Sequence, residues 1–385
     1  MHKKIKVLIL HNYMAPYRFP LFKEISRYPE FDVIVYFMSR SAKNRRWKIS
    51  SNELGFKYEV LPKIEFSFFG RDLFSYIINY TFPIKFLKSN FDVVISAGWL
   101  DFVGQMGFLL SKLTGKKFII WSESTINESS WRRTITLPFV RFLVKHSDAC
   151  VAIGTRSKEY LLKLGSIPEK IFVGYSTVDV DLFKTKSKNF KKERKAIRKK
   201  LGIKTKRVVL YVGQFIERKG IFYLLKAFEK LNKKYKDVSL LLVGYGPLEE
   251  KLIKYVDENN LHNVIFKSHI EVQKMPQVYS AADLFVLPSI EETWGLVINE
   301  AMACGLPVVT TEKVGSSVDL VKNFYNGLVV PEGDSLSLYQ SIREIITDRK
   351  IITTMSKNSE ELILNFTPKI AAKNFVKAVK YVLKV

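Results

Sequence analysis

Two doubly wound α/β domains are what this 385-residue sequence predicts. Three observations carry the expectation. The chain is long for one hydrophobic core and comfortable for two. Short apolar runs alternate with helical segments along its whole length, and within each run the residues do not alternate apolar with polar, as befits parallel strands covered on both faces. In the first half the runs are "IKVLIL", "DVIVYFM", "DVVISAG", "KFIIWSE", "ACVAIG" and "KIFVGYS", separated by helical stretches such as "YRFPLFKEISR", "LDFVGQMGFLLSKLTG" and "RSKEYLLKLG". The second half repeats the pattern with "KRVVLYVG", "VSLLLVG", "NVIFKSH", "LFVLPS", "LPVVTT" and "NGLVV", and between them lie "IFYLLKAFEKLNKKY", "GPLEEKLIKYV", "WGLVINEAMACG" and "SLYQSIREII". The domains are expected to meet near residue 185, giving 1–185 and a second domain from 186.

Composition narrows the class. A hydrophobic content of 47% with 26% charged residues is ordinary globular material, not disorder. The two cysteines, Cys150 and Cys304, lie far apart in apolar segments, which argues against a disulfide framework or a metal site and suits a reducing cytoplasm. The N-terminal "MHKKIKVLIL" is basic then apolar, but its apolar part is too short for a secretory core and reads as a first buried strand. No stretch is apolar for long enough to span a bilayer as a helix. The net charge of +25 is uneven: residues 1–200 carry +20 and residues 201–385 only +5. Part of the excess lies in "KTKSKNFKKERKAIRKK" (184–200), a solvated linker or exposed helix; the remainder suggests that the first domain faces an anionic partner.

Ligands of open α/β sheets sit beyond the carboxyl ends of the strands, so chemistry is sought there. After "VVLYVG" comes "GQFIERKG", in which Gly213 and Gln214 lead to Arg218, Lys219 and a glycine that opens a helix, an arrangement suited to phosphate. After "LLLVG" comes "GYGPLEE", where Gly244 begins another turn; tight packing alone would also explain it. After "LFVLPS" comes "IEETWG", bringing Glu292 to a strand end and Trp294, Gly295 and Leu296 to a helix N-terminus. Gly315 follows "VVTT" in the same way. Glu292 alone could be a first-turn carboxylate that suits the helix dipole. Glu300, inside "LVINEAMA", is harder to assign to a solvated face, and a structural and a ligand-binding role stand level for it. Together these groups suit a nucleotide bearing a sugar on its diphosphate: ammonium and amides for phosphate, carboxylates for hydroxyls. Dinucleotide chemistry and P-loop chemistry are not indicated, since neither G-x-G-x-x-G after the first strand nor G-x-x-x-x-G-K-[ST] occurs.

"ETWGLVINE" followed by "AMACGLPVV" resembles the E-x7-E element of the retaining glycosyltransferases of family 4 (glycosyl transferases group 1). "VGQFIERKG", "LLLVGYGP", "MPQVYSAADLFVLPS", "VGSSVDLV…NGLVV" and "STVDVDLF" match in order and spacing. The resemblance is specific over residues 150–335 and looser before them. It implies a GT-B fold, two Rossmann-like doubly wound domains facing across a cleft, with an N-terminal acceptor-binding domain (1–185), a C-terminal donor-binding domain (186–365) and a closing helix (366–385) that returns to the first domain. It also implies retention at the anomeric carbon, no cofactor and no metal. Carried onto this chain, Glu300 would bind ribose hydroxyls, Glu292 would contact the donor sugar beside the amides at Trp294, Gly295 and Leu296, and Lys219 would hold the diphosphate. His269 would lie near the base, or be a partly exposed strand-end histidine.

Two departures matter. Gln214 stands where the family often has arginine, leaving a diphosphate contact to be weakened or taken over by Arg218, if Arg218 does not point into solvent. The family's cleft histidine has no counterpart in "WSESTINESSWRR", and Glu123 is the candidate to replace it, unless it merely pairs with Arg132 or Arg133. His11, ending the first strand, and Arg18 are placed on the acceptor side; His146 precedes a strand and should face away. The expected activity is transfer of a hexosyl-type sugar to a glycan or lipid-linked acceptor in surface polysaccharide or lipopolysaccharide biosynthesis, in the cytoplasm, with peripheral association at the anionic inner face of the membrane. The segment "EFSFFGRDLFSYIINYTFPIKFL" (65–87) would lie in that interface, or form a helix covering the sheet. The rivals are a sugar-nucleotide epimerase or hydrolase of the same fold and a basic nucleic-acid-binding protein. The second would leave the glycine and glutamate elements unexplained, so no nucleic-acid partner is expected.

Overall fold

β-Branched and aliphatic runs, each bounded by a glycine or a helix, pair side by side into two parallel sheets. The computed structural model describes residues 3–41, 54–68, 74–128, 131–268 and 270–385, and divides into two units, residues 1–177 with 368–385 and residues 178–367. Every apolar run named above forms a strand.

In the first unit the strands are β1 (Ile5–Tyr13), β2 (Phe31–Ser39), β3 (Lys57–Val60), β4 (Ile64–Phe68), β5 (Phe74–Ile78), β6 (Val93–Ala97), β7 (Lys117–Ser122), β8 (Ala149–Ala152) and β9 (Ile171–Val173). Seven of them form one sheet in the order β3-β2-β1-β6-β7-β8-β9, parallel throughout. The helices are α1 (Phe19–Ser26), α2 (Phe82–Lys88), α3 (Phe102–Leu113), α4 (Trp131–His146) and α5 (Thr155–Lys163). Strands β4 and β5 stand apart as an antiparallel pair, Ile64 opposite Ile78. The segment 65–87 is therefore hairpin strands followed by α2 rather than one interfacial or covering helix. Its "IEFSF" and "FSYII" alternate with period 2, which only a strand turns into two distinct faces; the residues between the strands, 69–73, lie outside the described residues.

The second unit begins with α6 (Val180–Lys192) and α7 (Arg194–Leu201), then β10 (Arg207–Val212), α8 (Ile221–Lys234), β11 (Val238–Val243), α9 (Glu249–Glu258), β12 (Val264–Lys267), α10 (Met275–Ala281), β13 (Leu284–Leu287), α11 (Leu296–Ala303), β14 (Val308–Thr311), α12 (Ser317–Leu320), β15 (Gly327–Val330), α13 (Ser335–Thr347) and α14 (Arg349–Leu362). The sheet order is β12-β11-β10-β13-β14-β15. The chain winds outward from β10 in one direction and resumes at β13 in the other, so the crevice of a doubly wound sheet opens at the carboxyl ends of β10 and β13. The closing helix α15 (Pro368–Leu383) packs in the first unit against α1, β7, β8 and β9. Its Phe375 ring meets the Trp121 ring edge-on, and Asn374 donates to the Val173 carbonyl at 2.7 Å.

The division falls at Thr177/Val178 rather than at 185. Basic as it is, the segment 184–200 is not a linker: α6 buries Val180, Phe183 and Ser187, and α7 buries Ile197. Asp283, just before β13, fixes it further, accepting from Arg194 Nη2 and Arg198 Nη2 at 2.7 Å each and from the Val208 backbone N–H at 2.9 Å. A nearly buried carboxylate shared by two guanidinium groups is costly to neutralise. Asp283→Asn is expected to lower stability by about 2 kcal/mol, measured by denaturant unfolding; an unchanged midpoint would show the tie to be idle.

Candidate functional site

The loops after β10 and β13 come together at the switch point. Backbone N–H groups of Ile290 and Glu291 donate to the Arg218 carbonyl at 2.8 and 3.3 Å. Across this junction the Lys219 ammonium pairs with the Glu292 carboxylate, and both side chains are nearly buried. Glu292 is held in turn by the next strand end: its N–H donates to the Lys313 carbonyl, and its carbonyl accepts from Gly315 N at 2.9 Å. Arg218 is half exposed; its Nη1 stands 4.0 Å from Glu292 Oε1 and donates to the Glu291 carbonyl at 3.4 Å. Arg218 thus reaches towards the Glu292 carboxylate while remaining partly in solvent.

The glycine turns divide into two kinds. The amides of Gly213 and Gly244 continue the strand ladder, donating to the carbonyls of Val243 and Lys267, and a Cβ on Gly244 would stand 1.8 Å from the Gly213 carbonyl oxygen. Gly244 is there for close backbone approach, while a Cβ on Gly213 would meet the Tyr211 hydroxyl at 2.7 Å; the N–H groups of both are already committed. Gly295 is different. It takes φ +90° as the N-cap of α11, with Leu287 and Val314 side chains 3.0 and 3.2 Å from where a Cβ would sit, a conformation that L-residues adopt with strain. It opens α11 with the amides of Leu296 and Val297, which as the first of a helix lack intrahelical carbonyls to donate to, before Ile298 N donates to the Gly295 carbonyl at 2.9 Å. The Trp294 indole goes inward, donating to Asn299 Oδ1 at 2.9 Å, while its carbonyl accepts from Ser316 N and Oγ. That pair of bonds locks the loop to the helix.

Glu300, one turn further along α11, is partly buried and accepts from Tyr279 Oη at 2.7 Å. Burial pushes its carboxyl up to about 7, against the pull of the Tyr279 hydrogen bond. Burial and the nearby carboxylate push the Tyr279 hydroxyl well above its usual value. Gln214 offers its backbone carbonyl to Tyr211 Oη at 2.9 Å. Tyr211, Tyr279 and Asn299 were not singled out from sequence; a buried tyrosine or asparagine inside an apolar strand or helix is the signal that marks them, because its polar atom must find a partner. His269 lies outside the described residues.

In the first unit, residues after β1 and β7 meet. Arg18, 2% exposed, donates to Glu123 and to Ser176 Oγ, and its guanidinium lies 4.7 Å above the Trp121 ring. Glu123 therefore pairs with Arg18, while Arg133 instead stacks on Tyr160 and donates to the Glu128 carbonyl at 2.7 Å. His11 is buried among Phe22, Phe37 and Trp121, with Nδ1 2.9 Å from the Tyr13 carbonyl. Burial, reinforced by the Arg18 charge, holds its pKa down to about 4. A base whose folded pKa is depressed stabilises the fold at neutral pH and loses that contribution as pH falls from 6.5 towards 4. Acid unfolding should reflect this: His11→Phe is expected to flatten the loss between those limits by about 2 kcal/mol, and an unchanged pH profile would contradict it. His146 is exposed and bonded to the Phe142 carbonyl within α4. Asp101, missed from sequence, caps α3 through Gly104 N at 2.6 Å and is pushed up to about 6 by burial. Cys150 and Cys304 are buried thiols, both pushed up by burial.

Two parallel doubly wound sheets, one with a Lys-Glu pair beside a helix N-terminus at its switch point, are the two Rossmann-like halves of the GT-B fold. Residues 193–362, which lie in the second unit, match the family of glycosyl transferases group 1. Two curated relatives each align with part of the chain: the uncharacterized glycosyltransferase MJ1178 of Methanocaldococcus jannaschii, 29% identical over 41% of the chain and 43% of the relative, and the capsular polysaccharide biosynthesis glycosyltransferase CapM of Staphylococcus aureus, 30% identical over 41% of each. The chain thus aligns with less than half the length of these relatives. The crystal structure of Anabaena HepE in complex with UDP superposes with a TM-score of 0.78 over 98% of this chain and 100% of that one, at 19% identity, a likeness of fold.

Proposed function

We propose that the chain is a retaining glycosyltransferase that moves a sugar from a nucleoside-diphosphate sugar to a hydroxyl of a glycan or lipid-linked acceptor, in surface polysaccharide synthesis at the inner face of a membrane. The observation that carries this reading is the Lys219–Glu292 pair set at the β10/β13 switch point, in the loop that leads into α11. The relative that acts in capsular polysaccharide biosynthesis and the fold neighbour bound to UDP support it. On donor binding the diphosphate competes for Lys219 and the α11 amides, the sugar hydroxyls take Glu292, and the ribose hydroxyls take Glu300. Gly213, Gln214, Arg218 and Gly244 shape the diphosphate end.

In the reaction the bond between the anomeric carbon and the diphosphate oxygen breaks, and one to the acceptor oxygen forms on the same face. The departing diphosphate takes the acceptor proton. Its growing charge meets a lysine and a helix N-terminus already in place, so little reorganisation is needed, and the reading includes neither cofactor nor metal. Glu123, positioned by Arg18, orients the acceptor hydroxyl. The test is nucleotide release from UDP-, GDP-, ADP- and CDP-sugars with and without a membrane-lipid and glycan extract. Release that depends on the extract, with the label appearing in a glycan, is the expected result. Brisk turnover of the sugar nucleotide without acceptor would favour an epimerase or hydrolase instead.

A further inference from the structure

Three successive helices of the first unit carry seven lysines and arginines and no aspartate or glutamate: α2, α3 and α4. They lie on one side of the sheet, since Phe82 and Phe86 of α2, Val103 and Phe108 of α3 and Leu143 of α4 enter a single hydrophobic cluster. Their inward faces are thus accounted for. Their outward faces are unusual: Ile84, Leu87, Leu113, Ile135, Phe139 and Phe142 project from them, each between 42% and 73% exposed. Phe142 ties this outer face to the core beneath it, its ring lying 6.1 Å from that of the buried Phe108 on α3. Exposed Lys88, Arg141 and Lys145 stand among them with no acidic partner among the described residues, while Lys112 reaches Asp148 at 3.2 Å. Apolar side chains exposed together on three helices of one sheet face mark something that covers them.

The geometry points to an anionic lipid bilayer as the occupant of this α2–α3–α4 face, which seats the first unit on the membrane. Aliphatic and phenyl groups spread over three helices suit the boundary between headgroups and acyl chains, and Lys88, Arg141 and Lys145, left over once Lys85, Lys112 and Arg133 have paired with Glu59, Asp148 and Glu128, suit anionic headgroups. A second copy of the chain would set Arg141 and Lys145 against their own like charges. A nucleic acid would use the cations and leave isoleucine, leucine and phenylalanine in water. Among the described residues no helix is long and apolar enough to cross a membrane, so the contact is one of docking on the surface.

The full chain is sedimented with vesicles of phosphatidylcholine alone and with vesicles in which about a third is replaced by phosphatidylglycerol, at low and high salt. Partitioning at least about tenfold greater to the anionic vesicles, weakened by salt, is expected. Ile135→Glu with Phe139→Glu should remove about tenfold or more of that binding. Arg141→Gln with Lys145→Gln, at exposed positions and confirmed as folded by an unchanged melting curve, should bring it towards the neutral-vesicle level. Equal binding to both vesicles, no binding to either, unchanged binding by the second variant, or a dimer in light scattering that Ile135→Glu dissociates would each overturn the assignment. Donor-induced thermal stabilisation, followed on the same samples, is expected to be unchanged in both variants, so failure of this surface leaves the donor reading standing and the converse also holds.

Discussion

Lys219→Ala is expected to lower the turnover of sugar transfer about 10²–10³-fold, the scale seen when one preorganised charge-stabilising donor is removed from a transition state. The effect should fall on kcat, because charge on the departing diphosphate develops as the bond breaks. It should also reach the resting protein: Glu292 is only 11% exposed and loses the cation it is paired with, so the variant should melt earlier than the wild type. Lys219→Arg retains the charge and should recover most of the stability but not the rate, since a planar fork does not replace a point ammonium. Steady-state kinetics at saturating donor beside a melting curve separates the two. A variant that melts earlier yet turns over normally would make Lys219 a structural partner of Glu292 and nothing more.

Glu300→Gln is expected to move stability and binding in opposite directions. The native carboxyl holds its proton to about 7, against an ordinary 4.5. Between those values the folded state binds more protons than the unfolded one, so stability falls as pH rises through this window. The glutamine variant escapes that loss, and at pH 8 its ligand-free form should be more stable than wild type by on the order of 2 kcal/mol. Donor affinity should nevertheless drop about 100-fold, because ribose hydroxyls lose a charged acceptor. In the wild type, donor affinity should rise with pH through 7 as the carboxylate forms. Calorimetric titration with the donor from pH 6 to 8, beside unfolding curves at the same values, reads both. A variant destabilised at pH 8, with unchanged donor affinity, would mean that Glu300 serves only Tyr279.

Much of the architecture is legible because parallel strands buried on both faces leave uninterrupted apolar runs, and β1, β6 and β10 to β15 each announce themselves in that way. The edge strand β3, "KYEV", and the hairpin of β4 and β5 do not. They mix polar and apolar residues with period 2, and the hairpin's aromatic content reads equally as an interfacial segment. The charge pattern of 184–200 leaves linker and exposed helix level because its apolar positions are few; the segment is helix, in α6 and α7, and only the third dimension shows Asp283 drawing Arg194 and Arg198 down. Within the site, Lys219 and Glu292 can be picked out as strand-end residues, but their pairing cannot, since it depends on β10 and β13 being neighbours. The Arg18–Glu123–Ser176 cluster is out of reach for the same reason. A local search around Glu123 finds Arg132 and Arg133, whereas the cation that binds it comes from the turn after β1.

The central claim is that the β10/β13 switch point of the second unit holds a nucleoside-diphosphate sugar. Its most direct test is a thermal-shift screen of UDP-, GDP-, ADP- and CDP-sugars, without added metal, on the wild-type protein beside Glu300→Ala. A donor at about 100 times its dissociation constant should stabilise the fold by about 2.7 kcal/mol. Stabilisation by one nucleotide class, absent in the variant, is the predicted result and names the base. A folded wild-type protein that no nucleotide sugar stabilises, or one stabilised equally with and without Glu300, would contradict it.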